Sequence, residues 1–519
     1  MSRSRQGLGL LLGVGGLLAV GGAFWATFQP DPDAVVPSPE LGSPPEPGAP
    51  NVLFIVWDTV RADRMSLYGH ERPTTPWLEE FAAEATVFDR AISASFWTLP
   101  AHSSLFTGLP ASAHRAVNRR DPWLDGQFTT LAEHLGAHGW DTYAWSTNPY
   151  VYVTTNVLQG FRTVDDPMRE GRWRDLALAD TQRCLLPDDR SSSISQGRPD
   201  NSKITPKNAG ETIHTALVDW LEERRDPARP WFAFLNYMEA HTPRVPCAEA
   251  REAMLGHDPE LAALALSTVA DTHRLHRQIL KQGKPLSDRQ IEAILAVYDA
   301  TVLELDRKTG AMIDDLESRG LLDDTIVVIT SDHGEQFGEH GLFNHNFSLY
   351  QPLVHVPLIV RWPRALPPGR VEQTVSTRAL YPTLVDLLEL PPPADTELLP
   401  SLRGSPDDRA VTELIRPHSY AKGRKKLNRS YRALVEGEWK LIVANDGSRE
   451  LYALDADPRE IEDRAMEEGD RREAMAEHLD AWHAEVPVFS PTGRADLPSL
   501  DAMRAGLASE LEALGYVEP

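Results

Sequence analysis

Short apolar segments alternate with amphipathic segments along most of the chain. Asn51–Trp57, Trp231–Met238 and Thr325–Thr330 are runs rich in β-branched and aromatic residues, which is typical of strands that are buried on both faces. The segments between them repeat apolar residues about every three to four positions, as helices that cover a sheet do. This alternation predicts an α/β fold with a large, mostly parallel sheet sandwiched by helices.

The pattern changes after Pro391. Short strand-like runs follow at 410–415, 430–437, 439–445 and 450–458, and a helical pattern covers 471–486. Several short strands close together in sequence indicate an antiparallel sheet. We therefore predict a main body at 51–395 and a smaller C-terminal α+β unit at 396–519, which combines a small antiparallel sheet with helices.

The N-terminus carries a long uncharged segment. Gly7–Phe28 contains no charged side chain, and Arg3 and Arg5 precede it. About 20 apolar residues span a bilayer as a helix, and flanking arginines stay on the cytoplasmic side. We predict a membrane anchor or signal sequence at 1–28 and a Pro-rich linker at 29–50. The body is then extracytoplasmic and tethered, or secreted or periplasmic if the segment is cleaved.

The net charge of the chain bears on the kind of molecule that the protein can bind. The 519 residues carry a formal net charge of −24, which argues against a nucleic-acid binder, because phosphate backbones demand lysine and arginine. An acidic protein can still bind an anionic substrate where a metal ion supplies positive charge. The two cysteines, Cys184 and Cys247, could pair outside the cytoplasm, but their spacing does not decide this. Neither cysteine lies in a zinc-ligand pattern.

Acidic and histidine residues follow two of the predicted strands directly. Asp58 comes after the first strand, and Asp332 and His333 come after Thr325–Thr330. A single aspartate at a strand end is usually a turn former or a helix cap. Because the carboxyl ends of parallel strands meet at one edge of a sheet, we expect these three residues to lie together. Two carboxylates and an imidazole then predict a site for a divalent metal ion.

Several motifs taken together resemble the sulfatase family of the alkaline-phosphatase superfamily. They include NVLFIVWDTVRAD at 51–63, SFWTLPAHSSLFTG at 95–108, WFAFLNYMEAHTP at 231–243, DDTIVVITSDHGEQFGEHGLFNH at 323–345 and GEWKLIVANDGSRELYALDADP at 437–458. The resemblance implies a large α/β sandwich with a smaller C-terminal unit. It also implies a metal-dependent hydrolase of sulfate or phosphate esters. Ca²⁺ is the ion suggested by the family, and Mn²⁺ or Zn²⁺ also suits the donor set.

The chain departs from the family pattern at the nucleophile. Thr98 stands where sulfatases have the cysteine that is oxidised to formylglycine, and His102 stands at the arginine position of the same motif. Oxidation of threonine gives a ketone rather than an aldehyde. We therefore predict that Thr98 acts unmodified as the nucleophile, on a divalent metal ion held by Asp58, Thr98, Asp332 and His333. The competing interpretation is that Thr98 only caps the following helix.

Further departures concern the charge of the site. Thr59 replaces the second aspartate of the family's Asp-Asp pair, and His345 stands nearest to a missing lysine. Together with His241, His345 is expected to bind the anionic group or to protonate the leaving oxygen. His102 either reaches the nucleophile or simply lies on the following helix. Glu335 is expected to support the metal-binding loop.

Three functions remain open at this point. The first is a hydrolase of sulfate or phosphate esters that acts on a sulfated or phosphorylated glycan, lipid or small molecule. The second is a superfamily transferase that moves a phospho group onto an envelope glycan or lipid. The third is a non-catalytic binding protein with the same fold. The presence of Asp58, Asp332 and His333 favours an active enzyme.

Overall fold

The computed structural model describes residues 40–117, 122–167, 171–184, 208–242, 244–269, 284–393, 398–404, 407–416 and 428–492. The predicted anchor or signal at 1–28 and the first half of the predicted linker, 29–39, lie outside the described residues. Across the part of the chain that is described, no helix combines the length and the apolar character needed to cross a bilayer.

A large sheet forms the centre of the molecule. Its nine described strands are β1 (Asn51–Trp57), β2 (Thr86–Ile92), β3 (Asp141–Ser146), β4 (Thr163–Asp165), β5 (Trp231–Tyr237), β6 (Thr325–Thr330), β7 (His355–Val356), β8 (Leu358–Arg361) and β9 (Gly369–Ser376). They lie in the order β4-β3-β5-β1-β6-β8-β2-β7, and β9 pairs with β2. Neighbours from β4 to β6 are parallel, as are β2 and β9. Strand β8 pairs antiparallel with both β6 and β2, and β7 pairs antiparallel with β2. The predicted mostly parallel sheet is confirmed.

Helices cover both faces of this sheet. The described helices are α1 (Pro76–Phe81), α2 (Thr98–Thr107), α3 (Ala111–His114), α4 (Leu131–Ala137), α5 (Arg172–Cys184), α6 (Gly210–Asp219), α7 (Ala248–Leu255), α8 (Pro259–Val269), α9 (Asp288–Ser318), α10 (Gln351–Val354), α11 (Leu380–Leu387) and α12 (Gly469–Glu485). Side chains of β1 alternate between two hydrophobic cores, with Val52, Phe54 and Val56 in one and Leu53, Ile55 and Trp57 in the other. The sheet is therefore buried on both sides, as its apolar strands predict.

The long helix α9 supports the loop that follows β1. It begins at a capping box in which Ser287 and Gln290 satisfy each other's backbone N–H groups, and it runs for 31 residues. Tyr298, on this helix, donates from its hydroxyl to the Thr59 carbonyl oxygen at 2.7 Å and accepts from the Arg61 N–H at 2.9 Å. The helix thus holds the segment that carries Asp58.

A second sheet lies near the C-terminus. Strands β10 (Arg409–Leu414), β11 (Tyr431–Glu436), β12 (Trp439–Ala444) and β13 (Arg449–Ala453) pair antiparallel in this order, and α12 packs against them. The predicted small antiparallel sheet is confirmed. Ala410 and Leu414 of β10 lie in the same hydrophobic core as Val52 of the large sheet. Because the two sheets share a core, the division of the chain at residue 395 stays a prediction.

A disulfide bond joins Cys184 and Cys247. It connects the end of α5 to the residue that precedes α7, across a sequence separation of 63 residues. The closed loop contains β5 and the residues that follow this strand. The pairing that the spacing alone left open is therefore present in the structure.

Candidate active site

Four neighbouring parallel strands bring polar residues to one edge of the large sheet. In the order β3-β5-β1-β6, these strands are followed by Asn148, His241, Asp58 and Asp332. Because the four strands run in the same direction, their carboxyl ends lie side by side. The structure thus gathers residues from four distant parts of the sequence at the edge where the site is predicted.

Asp58, Asp332 and His333 converge on one point. One ligand atom from each of these residues lies within 4.8 Å of the others, and all three side chains are buried. Together with Thr98 and Asn148, they form what we call the acidic side of the site. The structure therefore brings together the residues predicted as a metal shell.

Backbone groups orient two of these side chains. Asp332 Oδ1 accepts hydrogen bonds from the N–H groups of Thr59 at 3.2 Å and of His333 at 2.9 Å. His333 Nδ1 donates to the Gly334 carbonyl oxygen at 2.9 Å. Nε2 is consequently the His333 nitrogen that suits a metal ion, because a ligating histidine usually donates its other N–H in this way.

The surroundings of the Asp332 carboxylate indicate whether a cation fits beside it. Burial raises the pKa of Asp332 to about 7, although the Thr59 and His333 N–H groups favour its charged form. Within the described residues, no hydrogen bond reaches Asp332 Oδ2. A buried carboxylate oxygen of this kind is stabilised by a cation. Two carboxylates, an imidazole and a neighbouring hydroxyl are donors that suit a divalent metal ion.

Thr98 occupies the first position of α2 rather than its cap. The N-cap residue is Trp97, whose indole N–H cannot accept a hydrogen bond from the helix backbone. Thr98 is fully buried, and its Oγ1 lies 3.4 Å from His333 Nε2. The interpretation of Thr98 as a helix cap is therefore wrong, and its hydroxyl lies beside the predicted metal ligands.

Thr59 forms a constrained turn between the two carboxylates. Its φ is 63°, in the left-handed region, which is unusual for a β-branched residue. Its N–H donates to Asp332 Oδ1, and its buried hydroxyl makes no hydrogen bond within the described residues. Strain of this kind is found where the surrounding structure holds a functional geometry. The turn links the strand end that carries Asp58 to the loop that carries Asp332.

Asn148 is a site residue that the sequence patterns do not single out. Its Nδ2 lies 2.7 Å from Asp58 Oδ2 and 3.5 Å from Thr98 Oγ1. In sequence, Asn148-Pro149 is a turn signal and nothing more. The signal that could have found it is its place two residues after β3, which ends at the same edge of the sheet as β1.

A second cluster consists of His241, His345, Glu335 and Arg244, and we call it the histidine side. The ring centroid of His345 lies 5.3 Å from that of His241 and 4.6 Å from that of His333 on the acidic side. All four side chains of the histidine side are buried. The structure therefore places His345 next to His333, a predicted metal ligand, and His241 next to His345.

Glu335 holds the histidine side together. Its Oε1 lies 3.1 Å from His345 Nδ1, and its Oε2 accepts from Arg244 Nη2 at 2.6 Å. Burial alone would raise the pKa of Glu335, but the charges of His345 and Arg244 outweigh this effect and lower the pKa to about 2. The carboxylate is thus ionised. The carboxylate binds His345 and Arg244, and the expectation that Glu335 supports the loop with Asp332 and His333 stays a prediction. Arg244 is also a residue that the sequence patterns do not single out.

His102 lies on α2, against the backbone of Thr98. Its Nδ1 donates to the Thr98 carbonyl oxygen at 2.9 Å, and its ring centroid lies 5.9 Å from that of Phe234. Burial lowers the pKa of His102 to about 3, so the ring is neutral. Of the two roles considered for His102, the geometry favours a place on the helix over a contact with the nucleophile's hydroxyl.

Gly334 leaves no room for a side chain after the two ligands Asp332 and His333. A Cβ at this position would lie 2.0 Å from the Pro352 carbonyl oxygen and 2.8 Å from Arg61 Cγ. The loop that carries the predicted metal ligands Asp332 and His333 therefore packs closely against α10.

Comparisons with known proteins were consistent with this architecture. A sequence model described as Sulfatase matches residues 50–390, and one described as N-sulphoglucosamine sulphohydrolase, C-terminal, matches residues 338–483. The chain is similar to Arylsulfatase K of Bos taurus, with 26% identity over 441 residues that cover 80% of this chain and 78% of that protein. It is also similar to the multifunctional alkaline phosphatase superfamily protein PehA of Trinickia caryophylli, with 27% identity over 407 residues that cover 69% of this chain and 78% of that protein.

A solved structure shares the fold. The phosphonate monoester hydrolase of Agrobacterium radiobacter matches with a TM-score of 0.64 and 23% identity, over 84% of this chain and 96% of that chain. The family match at residues 50–390 covers well over half of the 519 residues. The chain therefore belongs to the sulfatase family and is a sulfatase-like hydrolase of the alkaline-phosphatase superfamily.

Proposed function

We propose that this protein is a divalent-metal-dependent hydrolase of sulfate or phosphate esters in which Thr98 is the direct nucleophile. The observation that carries the proposal is the position of Thr98 Oγ1, which lies 3.4 Å from His333 Nε2 at the edge of the buried carboxylate pair. The reaction class is supported by the names of the similar proteins, which include an arylsulfatase and a phosphonate monoester hydrolase.

The acidic side would hold the metal ion, through Asp58, Thr98, Asp332 and His333. A divalent cation supplies positive charge that lowers the pKa of an alcohol and offsets the negative charge of an ester group. Two carboxylates balance the charge of such an ion. The family suggests Ca²⁺, and the imidazole donor also suits Mn²⁺ or Zn²⁺.

The histidine side would bind the ester and its leaving oxygen. His345 Nδ1 is engaged by Glu335, so His345 carries a proton on Nε2 only in its cationic form, and the Glu335 carboxylate balances that charge. His241 Nδ1 donates to the Thr242 carbonyl oxygen at 2.7 Å, so His241, like His345, offers a proton on Nε2 to an anion only in its cationic form. We propose that His345 donates the proton to the leaving oxygen and that His241 contacts the anionic group.

The reaction would proceed in two displacements. In the first, the Thr98 hydroxyl gives up its proton to water and its Oγ1 forms a bond to sulfur or phosphorus, while the bond from that atom to the leaving oxygen breaks and the leaving oxygen takes a proton from cationic His345. In the second, water attacks the same atom and gives a proton to His345, the bond to Thr98 Oγ1 breaks, and Oγ1 takes back a proton from water as the free sulfate or phosphate is released. A sulfated threonine lacks the elimination route that a formylglycine hydrate offers, whereas water can attack the phosphorus of a phosphothreonine. We therefore propose that phosphate or phosphonate esters are better substrates than sulfate esters.

The test is hydrolysis of para-nitrophenyl phosphate, phosphonate and sulfate esters by the metal-loaded protein, together with mass spectrometry of the peptide that contains Thr98. We expect free phosphate to be released into water while Thr98 stays unoxidised. Transfer to an acceptor alcohol without release of free phosphate would identify a transferase. Metal binding without turnover of any ester would identify a binding protein.

We also propose that the body lies on the extracytoplasmic side, with residues 1–28 as an anchor or a signal. The Cys184–Cys247 disulfide supports this location, because disulfides persist in oxidising compartments. A reporter that is active only in the cytoplasm, fused after Pro519, is expected to be silent. An active reporter would contradict this location.

A further inference from the structure

Asn148 contacts both a predicted metal ligand and the proposed nucleophile. It is fully buried, and its Nδ2 lies 2.7 Å from Asp58 Oδ2 and 3.5 Å from Thr98 Oγ1. It lies on the short segment after β3.

The orientation of the Asn148 amide is determined by its other partner. Asn148 Oδ1 accepts a hydrogen bond from the Tyr150 N–H at 2.8 Å, and Asn148 N–H donates to Ser146 Oγ at 3.0 Å. Reversing the amide would place Oδ1 against the Asp58 carboxylate and Nδ2 against a backbone donor, which leaves both contacts repulsive. The NH₂ group therefore faces Asp58 and Thr98.

This orientation fixes the direction of both hydrogen bonds. An amide NH₂ can only donate, so Asp58 Oδ2 and Thr98 Oγ1 accept from Asn148 and share its two protons with Met238 Sδ, which lies 3.3 Å from Nδ2. A hydroxyl oxygen that accepts a hydrogen bond is stabilised further when it loses its own proton, since the acceptor then carries negative charge. The second proton of the same amide restrains Asp58, one of the carboxylates that face the cation.

We propose that Asn148 is a further catalytic residue of this site: its amide holds Thr98 Oγ1 in place and stabilises the negative charge that this oxygen carries once it has lost its proton and before it bonds to the ester. The same amide orients Asp58 for the metal ion. The inference rests on the proposed function for its catalytic half, whereas the contact with Asp58 stands on the geometry of the acidic side alone.

Two substitutions separate these roles. Asn148→Ala removes both hydrogen bonds without adding charge. Asn148→Asp keeps the size of the side chain and the oxygen that accepts from Tyr150, but it replaces the donor by a second anionic oxygen next to Asp58. Folding of both variants is checked by circular dichroism and thermal unfolding, and their Mn²⁺ affinity is measured by calorimetric titration with Mn²⁺ alone.

For Asn148→Ala we expect Mn²⁺ affinity to fall by about tenfold, because loss of a partner that orients a metal ligand has effects of this size. For Asn148→Asp we expect Mn²⁺ to bind at least as tightly as in the wild-type protein, since a carboxylate is added. In both Mn²⁺-saturated variants we expect kcat for a phosphate ester to fall by about 10²–10³-fold, as on loss of a donor to an oxyanion, with KM changed by less than about threefold.

The inference is overturned if Asn148→Ala binds Mn²⁺ as tightly as the wild-type protein, or if the Mn²⁺-saturated Asn148→Asp variant retains the wild-type kcat. A wild-type protein that hydrolyses no ester would overturn the proposed function and the catalytic half of the inference. The Mn²⁺ titration of Asn148→Ala would still decide whether Asn148 orients Asp58.

Discussion

The acidic side and the histidine side lie in contact with each other but are held in place by different kinds of interaction. On the acidic side, Asp332 is oriented by two backbone N–H groups of its own edge of the sheet. On the histidine side, position depends on a side-chain ion pair between Arg244 and Glu335, which are 91 residues apart in sequence. Strand ends therefore position the acidic side, which is proposed to hold the metal ion, whereas loop side chains position the histidine side, which is proposed to bind the ester.

The largest effect on activity is expected from a substitution of Thr98 on the acidic side. Thr98→Val keeps the shape of the side chain and removes the hydroxyl, so we expect kcat to fall by roughly 10⁴-fold or more, as for other nucleophiles. The fold is preserved, because Thr98 does not cap α2. Thr98→Ser retains a hydroxyl and serves as the matched control with substantial activity. Phosphate release by a folded Thr98→Val protein within about tenfold of the wild-type rate would end the direct-nucleophile mechanism.

The next effect concerns the metal-binding half. Asp332→Asn removes one carboxylate, and we expect Mn²⁺ affinity to fall by about 10²-fold and kcat by roughly 10³-fold. The change is measured by elemental analysis and by the thermal shift that Mn²⁺ produces. An unchanged metal content in Asp332→Asn would remove this residue from the metal shell.

Asp332→Asn also tests how much the buried Asp332 carboxylate lowers the free energy of unfolding when no metal is bound. Without metal, the pKa of Asp332 is about 7 in the folded protein, above the value of about 3.9 expected in the unfolded chain. The folded state then binds more protons, so this contribution to stability is complete below about pH 4 and is lost as the pH rises through 7. In EDTA we expect the free energy of unfolding of the wild-type protein to fall across this range. Asp332→Asn is expected to show a flatter profile.

The histidine half has the opposite pH dependence. The pKa of Glu335 is about 2 in the folded protein, below its usual value of 4.5. Its contribution to stability is therefore present above pH 4.5 and is lost as the pH falls toward 2. Glu335→Gln is expected to lower the free energy of unfolding at neutral pH by about 3 kcal/mol and to flatten this acid limb. Urea unfolding of both proteins at several pH values measures these free energies of unfolding. Glu473→Gln, in the exposed pair with Arg449, is the control and is expected to change little.

The smallest of these effects is expected at His345. His345→Gln removes the proposed proton donor, and we expect kcat to fall by about 10²-fold for alkyl esters and by less for para-nitrophenyl esters, whose leaving group needs no proton. His340, an exposed histidine whose ring stacks on Tyr350 with centroids 3.6 Å apart, offers the control His340→Gln. Equal losses for good and poor leaving groups would assign His345 to binding rather than proton transfer.

Much of the fold and half of the site follow from the sequence for a physical reason. Asp58 and Asp332 each come directly after an apolar strand, and the shared direction of parallel strands is enough to place them together. The sequence of β1 predicts burial on both faces, because the residues from Val52 to Trp57 are all apolar and alternate between the two hydrophobic cores.

The rest of the site could not be read in the same way. The contact between Glu335 and Arg244 depends on the path of two loops, which no periodic pattern records. The sequence does not predict Asn148 as a site residue, because an Asn-Pro pair is already explained as a turn. The environment of His102 depends on the packing of Phe234 from another strand, so only the structure could choose between its two roles.

The lack of space at Gly334 has a consequence for how this chain can change over generations. Any side chain there meets the carbonyl oxygen of Pro352, so a library of all substitutions is expected to accept glycine alone at this position. The sequence of the loop with Asp332 and His333 cannot change one residue at a time at Gly334, because every other side chain at this position meets the Pro352 backbone. We therefore expect new substrate preferences to arise through the loops of the histidine side, while the turn with Asp332 and His333 stays unchanged.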